Sequence, residues 1–181
     1  MGSQANKLND QAKQLDNYCL LKNRIDAGNA YAALQRLNNR DAHGGEVEPV
    51  SCDHKQLQTL LDLTINQIKT IKDDSQQGRH LCGKDTINIR NLTSEEFKIY
   101  QDTQPDEKFH SQGLGLNPKT LGVIQIYRLT QIMMKLISLN SSLDIREALT
   151  ESSPFSSDHK EYLNSFANPQ SAPPQEPEPE L

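Results

Sequence analysis

The segment LGVIQIYRLTQIMMKLISL, residues 121–139, is the most apolar stretch of an otherwise polar chain. Polar residues interrupt it at Gln125, Arg128, Gln131, Lys135 and Ser138. Because they are spaced by three or four positions, they share one narrow stripe of a helix. The apolar side chains spread over about half of the circumference, which is wider than the roughly 100° face of a surface helix. The pattern predicts a central helix, residues 118–139, that contacts more than one neighbour.

A helix of this length could also cross a bilayer, but its polar stripe argues against that. Arg128 and Lys135 would each cost about 2.5–3.5 kcal/mol near the bilayer centre, and two glutamines in the segment add to the cost. We therefore expect no membrane span. The central helix is instead predicted to pack against helices near residues 8–37 and 53–72.

Part of the wide apolar face could stay open as a groove or a dimer seam instead of packing in the core. Methionine suits adaptable binding surfaces as well as cores, and two methionines are adjacent on this helix. The residues that we assign to partner binding here are Tyr127, Met133, Met134 and Ile137. The sequence alone does not decide whether this apolar face is fully packed in the core or partly exposed.

Helical spacing of apolar residues predicts two further elements before the central helix. Residues 8–37 form one long helix or a pair, because Gly28 interrupts the pattern. Cys19 falls on the apolar stripe of this segment and is predicted to lie in the core. In the next helix, residues 53–72, Asp53 and Gln56 have the spacing of a capping box. Its apolar face is predicted at Leu57, Leu60, Leu61, Ile65, Ile68 and Ile71.

The stretch between these elements and the central helix is less regular. Within residues 79–92, the segment TINIRNL, residues 86–92, alternates briefly between apolar and polar, which predicts one short strand. Thr93 and Glu96 form a second capping box and begin a short helix that ends near Gln101. A loop over residues 102–117 follows, whose path the sequence does not define.

The central helix is predicted to end at Asn140, and two short helices are predicted after it. Ser141 and Asp144 have the spacing of a cap pair and begin a helix through residue 149. Residues 158–167 have the pattern of an amphipathic helix. Its predicted buried side chains are Tyr162, Leu163 and Phe166.

Composition limits the size of the core and the class of partner. Only 34% of the residues are apolar, and the net charge is −5. Residues 141–181 hold eight acidic and two basic side chains, so the acidity belongs to the C-terminal end. Nucleic-acid binding relies on cationic contacts to phosphates, and this chain is therefore not expected to bind nucleic acid.

Together these patterns predict an all-α fold. It is an irregular helical bundle of about five to six helices around the central apolar helix. Residues 1–7 are expected to form a flexible N-terminus, residues 8–167 the helical domain, and residues 168–181 a disordered tail rich in proline and glutamate.

Three cysteines occur in the chain, an odd number that gives no complete disulfide framework. This favours reduced thiols and a cytoplasmic location. Cys52, His54, His80 and Cys82 are weak candidates for a zinc site, because zinc accepts two thiolates and two imidazoles. Ligand pairs one residue apart are closer than the usual spacing of two to four. No other cofactor is expected.

The last residues of the chain alternate Glu176, Glu178 and Glu180 with prolines and end at Leu181. An extended peptide of this kind loses little entropy when it docks, and a basic groove could bind its carboxylates. This acidic C-terminus, on a polar helical chain, resembles the translocation signal of effectors exported by bacterial type IVB secretion systems. The resemblance implies a bacterial protein delivered into a host cell, and it implies no catalytic residues.

The function that these patterns favour is a non-catalytic protein–protein interaction module. It could act as a secreted effector or as a secretion-system adaptor that binds another protein. A small metal-stabilised or Cys/His-dependent enzyme is one alternative. A structural helical oligomer, built from copies of the chain, is the other.

Overall fold

The computed structural model describes residues 2–25, 29–41, 43–76, 89–103, 116, 118–150 and 157–167. Within these ranges the chain forms α1 Gly2–Arg24, α2 Ala30–Leu37, α3 His54–Gln76, α4 Ser94–Thr103, α5 Pro118–Leu139 and α6 Ser157–Ala167. Two short 3₁₀ turns, Ile89–Asn91 and Arg146–Leu149, complete the regular structure of this part. The predicted all-α fold is confirmed, and the described residues contain no strand beyond one isolated bridge between Arg40 and Glu46.

Helix α5 is the centre of the bundle, as its apolar width predicted. It packs most extensively on α3 and also contacts α2 and α4. Its fully buried apolar side chains are Ile124, Leu129, Ile132, Met133, Leu136 and Ile137. Burying one such side chain contributes about 1.5–3 kcal/mol, so this helix supplies a large share of the hydrophobic stabilisation.

The capping box predicted for α3 is present. Asp53 N donates to Gln56 Oε1 at 3.0 Å, and Gln56 N donates to Asp53 Oδ1 at 2.8 Å. The apolar face that follows is buried at every predicted position: Leu57, Leu60, Leu61, Ile65, Ile68 and Ile71. The helix continues to Gln76, past the predicted end at Lys72.

Residues 8–37 form two helices, α1 and α2, rather than one. Helix α1 begins at Gly2, so residues 2–7, predicted to precede the domain as a flexible N-terminus, belong to this helix. The prediction for Cys19 is wrong, because its side chain is exposed. The buried face of α1 is carried by Leu21 in the last turns and continues to Ile25, just after the helix.

The C-terminal region differs from the prediction in its caps. Asn140 ends α5 and its Oδ1 accepts from Ser142 N at 3.0 Å, so Asn140, and not Ser141, opens the turn. Asp144 Oδ1 accepts from Arg146 N at 3.1 Å and begins a 3₁₀ turn instead of an α-helix.

Helix α6 buries one of the three side chains predicted for it. Leu163 is fully buried, Phe166 is packed against the core, and Tyr162 is 39% exposed. The rings of Tyr162 and Phe166 meet edge to face with centroids 4.8 Å apart.

The predicted strand over residues 86–92 begins outside the described residues, which resume at residue 89. Its described end, Ile89–Asn91, is a 3₁₀ turn, so the strand prediction is wrong there. The loop over residues 104–115 and the tail over residues 168–181 also lie outside the described residues. None of the helices in the described ranges is long and apolar enough to cross a membrane.

Candidate functional site

A buried ion pair joins α4 to α5. Arg128 Nε donates to Glu96 Oε2 at 2.6 Å, and Arg128 Nη2 donates to Glu96 Oε1 at 3.1 Å. The two residues are only 5% and 2% exposed. A two-bond contact between a guanidinium and a carboxylate fixes both groups in one plane as well as neutralising them.

The capping box of α4 presents this carboxylate to its partner. Thr93 N donates to Glu96 Oε1 at 3.0 Å, and Glu96 N donates to Thr93 Oγ1 at 3.2 Å. The predicted capping box is therefore confirmed. Because the Glu96 carboxylate accepts from Thr93 and twice from Arg128, its role here is structural, and it is poorly placed to act as a base.

The sequence did not reveal this pair. Arg128 was predicted to lie on a polar stripe, together with Gln125, yet both are buried, Gln125 completely. The N-terminal half of the stripe, which contains Gln125 and Arg128, therefore faces a neighbouring helix. One feature of the sequence could have indicated the pair. The capping box fixes Glu96 in the first turn of α4, and a glutamate that becomes buried there requires a cationic partner.

Two aromatic side chains border the ion pair. The ring centroid of Tyr31, on α2, lies 5.3 Å from Arg128 Cζ, within the range of a cation–π interaction. Tyr127, the residue before Arg128, is half-buried, and burial, together with the charges of Glu95 and Glu96, raises the pKa of its hydroxyl. Tyr31 itself is 43% exposed.

A third aromatic residue follows Glu96 on α4. Phe97 is 39% exposed, and its ring centroid lies 5.8 Å from that of Tyr100, which is fully buried. We call Tyr31, Phe97 and Tyr127 the junction aromatics, because each contacts or directly adjoins a residue of the ion pair. Tyr31 and Phe97 are the exposed members of this set, and Tyr127 is half-buried.

The partner-binding residues predicted on α5 are divided by the structure. Met133 and Ile137 are fully buried, so they present no surface to a partner. Tyr127 and Met134 are half-buried. The reason is that α2, α3 and α4 together enclose most of the apolar face. The tail residues Glu176, Glu178, Glu180 and Leu181 lie outside the described residues.

No protein family, curated protein or solved structure matches this chain. Its function is therefore inferred from its own residues.

The Cys/His candidates are only partly described. His80 and Cys82 lie outside the described residues. His54 is exposed at the start of α3, and its Nδ1 lies 3.0 Å from Asn140 Nδ2 at the end of α5. Among the described residues no three potential ligands form a metal-binding group. The zinc site with all four residues stays a prediction.

Cys52 has the properties of an unreactive thiol. It is partly buried, and burial, together with the charge of Asp53, raises the pKa of its thiol to about 11. The thiol is therefore protonated at neutral pH, whereas the thiolate is the form that acts as nucleophile or metal ligand. This environment disfavours Cys52 as the nucleophile of a Cys/His enzyme.

Alkylation of Cys52 should consequently be slow. In a variant with Cys19→Ser and Cys82→Ser, we expect iodoacetamide at about pH 8 to modify Cys52 at least tenfold more slowly than a short cysteine peptide. The rate should keep rising up to about pH 11, where the thiol titrates. Mass spectrometry measures both rates. A rate equal to that of the peptide, levelling off near neutral pH, would show an activated thiol and revive the enzyme hypothesis.

A polar groove of about 630 Å³ separates α3 from the turn that follows α5. Gln58 spans it, donating to Asp144 O at 3.1 Å and accepting from Asp144 N at 2.7 Å. The hydrogen bonds from Arg146 lower the pKa of Asp144 to about 2. The two hydrogen bonds between Gln58 and Asp144 cross the groove, so they fasten the turn to α3.

Proposed function

We propose that this chain is a non-catalytic interaction module that binds another protein through the junction aromatics. The single observation that carries the proposal is that Tyr31 and Phe97 are exposed while each is backed by a fixed neighbour. Arg128 holds Tyr31, and buried Tyr100 supports Phe97.

The physical basis is the cost of ordering side chains at an interface. Immobilising a mobile side chain costs about 0.5–1.5 kcal/mol on binding, and a ring already held in place avoids part of that cost. Tyrosine and phenylalanine also offer large contact areas with few rotatable bonds. Arg128 is held in one position beside the ring, because its Nε and Nη2 groups both donate to the buried Glu96 carboxylate.

The acidic tail supports the same class of function in a different way. Its alternation of proline and glutamate suits recognition by a basic groove. The resemblance to exported effectors implies that it acts as a translocation signal. In this proposal the tail directs delivery, and the junction aromatics bind the target. The two roles can be separated experimentally.

The test begins with a photo-crosslinking amino acid at position 31, which identifies the captured protein. That protein is then purified and titrated against wild type, Tyr31→Ser/Phe97→Ser and Tyr162→Ser. Truncating interface hot spots costs about 2 kcal/mol or more, which weakens binding roughly thirtyfold. Tyr162 is as exposed as Phe97 but lies on α6, so its variant is the matched control and should bind normally.

A variant that ends at residue 167 completes the design. We expect it to retain the affinity of the wild type for the crosslinked protein. If only this truncation abolishes binding, or if the double variant binds as tightly as wild type, the junction aromatics are not the binding surface.

A further inference from the structure

Over residues 12–24, where its side chains are described, helix α1 has one apolar side that packs on the bundle and one that is exposed. Leu21 is fully buried, and Tyr18 is packed against the core. On the opposite side, Ala12, Leu15 and Cys19 are exposed. Leu15 is 54% exposed, more than any other large apolar side chain of the described residues.

Polar contacts show the same division of α1. Gln14 Nε2 donates to Gln56 Oε1 at 3.2 Å, and Asn17 Oδ1 accepts from Arg36 Nη2 at 2.7 Å. Both residues lie on the side that faces α2 and α3. Among the residues that the structure describes, Ala12, Leu15 and Cys19 therefore stay exposed while the opposite side of α1 packs on the bundle.

The spacing of this stripe is that of a coiled-coil seam. Apolar residues follow one another at alternating steps of three and four: Ala5, Leu8, Ala12, Leu15 and Cys19. All five positions fall within α1. Alternation of three and four, continued over two heptads, keeps one stripe facing a partner helix along its length.

We infer that this stripe, the α1 seam, binds the α1 seam of a second copy of the chain. An interface between identical subunits uses the same patch on both, so the patch must complement itself. A seam of leucines alternating with small residues meets this condition, because in a parallel pair each leucine meets the same leucine of the partner helix, with small residues in the layers on either side.

The residues that flank the seam also permit self-pairing. In a parallel pair Gln11 would lie opposite Asp16 of the other copy, and Tyr18 opposite Asn23, so no like charges oppose each other. Lys22, which continues the stripe, is drawn aside, because its ammonium group lies 5.7 Å from the centre of the Tyr18 ring. A membrane surface is a poorer occupant, since such helices carry lysine and arginine along the border of the apolar face, where α1 has Asp16.

The interface is short and contains small residues, so the dimer should be weak. We expect a dissociation constant on the order of 100 µM. Sedimentation velocity from about 5 to about 500 µM should therefore show the full-length chain changing from monomer to dimer. Amide exchange over residues 12–19 should slow across the same concentration range.

Two substitutions of leucine by glutamate locate the interface. Leu15→Glu places like charges in the seam and should weaken association at least about tenfold. Leu139→Glu, at an exposed site on α5, should leave association unchanged. Circular dichroism should show both variants folded, since neither leucine is in the core.

The inference is overturned if wild type is monomeric at about 500 µM, well above the expected dissociation constant. It is equally overturned if Leu15→Glu associates as wild type does, or if Leu139→Glu abolishes association to the same degree. Slowed exchange of residues 12–19 only on anionic vesicles would assign the seam to a membrane surface instead.

Discussion

Replacing Arg128 by methionine should lower the free energy of unfolding by about 3–5 kcal/mol. The substitution retains an apolar chain of similar length but leaves the Glu96 carboxylate buried, and among the described residues the backbone N–H of Thr93 is its remaining partner. An uncompensated buried charge costs several kcal/mol, and domains of this kind are stable by only about 5–15 kcal/mol. Urea unfolding, followed by circular dichroism, measures the change.

The same substitution at an exposed ion pair provides the control. Arg146 bonds Asp144 with a closest distance of 2.8 Å, but its side chain is 87% exposed. Solvent screens this pair, and surface pairs of this kind contribute little to stability. Arg146→Met should therefore leave the unfolding midpoint unchanged within error.

A double substitution distinguishes the buried charge from the lost contact. In Glu96→Gln/Arg128→Met no charge remains at the junction, so the double variant should be about 1–2 kcal/mol more stable than Arg128→Met alone. The pair does not hold α4 against α5 if the loss of stability in the double variant equals the sum of the losses in Glu96→Gln and Arg128→Met. The same follows if Arg128→Met unfolds at the wild-type midpoint.

Helix α3 illustrates what the sequence could predict. Its six apolar positions were assigned from spacing alone, and all six are buried. A helix with one apolar face offers a single way to pack, so its period determines which side chains enter the core. Its cap was equally predictable, because Asp53 and Gln56 interact within one turn of chain.

Helices α1 and α5 illustrate what could not be predicted. Helix α1 has two apolar stripes, and the period does not say which one packs, so Cys19 was placed in the core and is exposed. On α5, Arg128 can be buried because it pairs with Glu96, which is 32 residues away in sequence. Spacing within one helix carries no information about a contact of that kind.

The second large effect concerns the core of α5 itself. Leu136 is fully buried, and Leu139, one turn later on the same helix, is 43% exposed. Leu136→Ala should lower the free energy of unfolding by about 2–5 kcal/mol, because it removes buried methyl groups and leaves a cavity. For a chain of this size the melting temperature should fall by on the order of 10 °C.

Leu139→Ala is the matched control, since it makes the same chemical change one turn away. A substitution at an exposed position should alter stability by no more than about 0.5 kcal/mol. The difference between the two variants therefore reports mainly on burial, because Ala is at least as good a helix former as Leu and the substitution costs no helix propensity at either position. Equal melting temperatures for the two variants would mean that α5 is not the buried centre of the bundle. The arrangement of α2, α3 and α4 around it would then have to be revised.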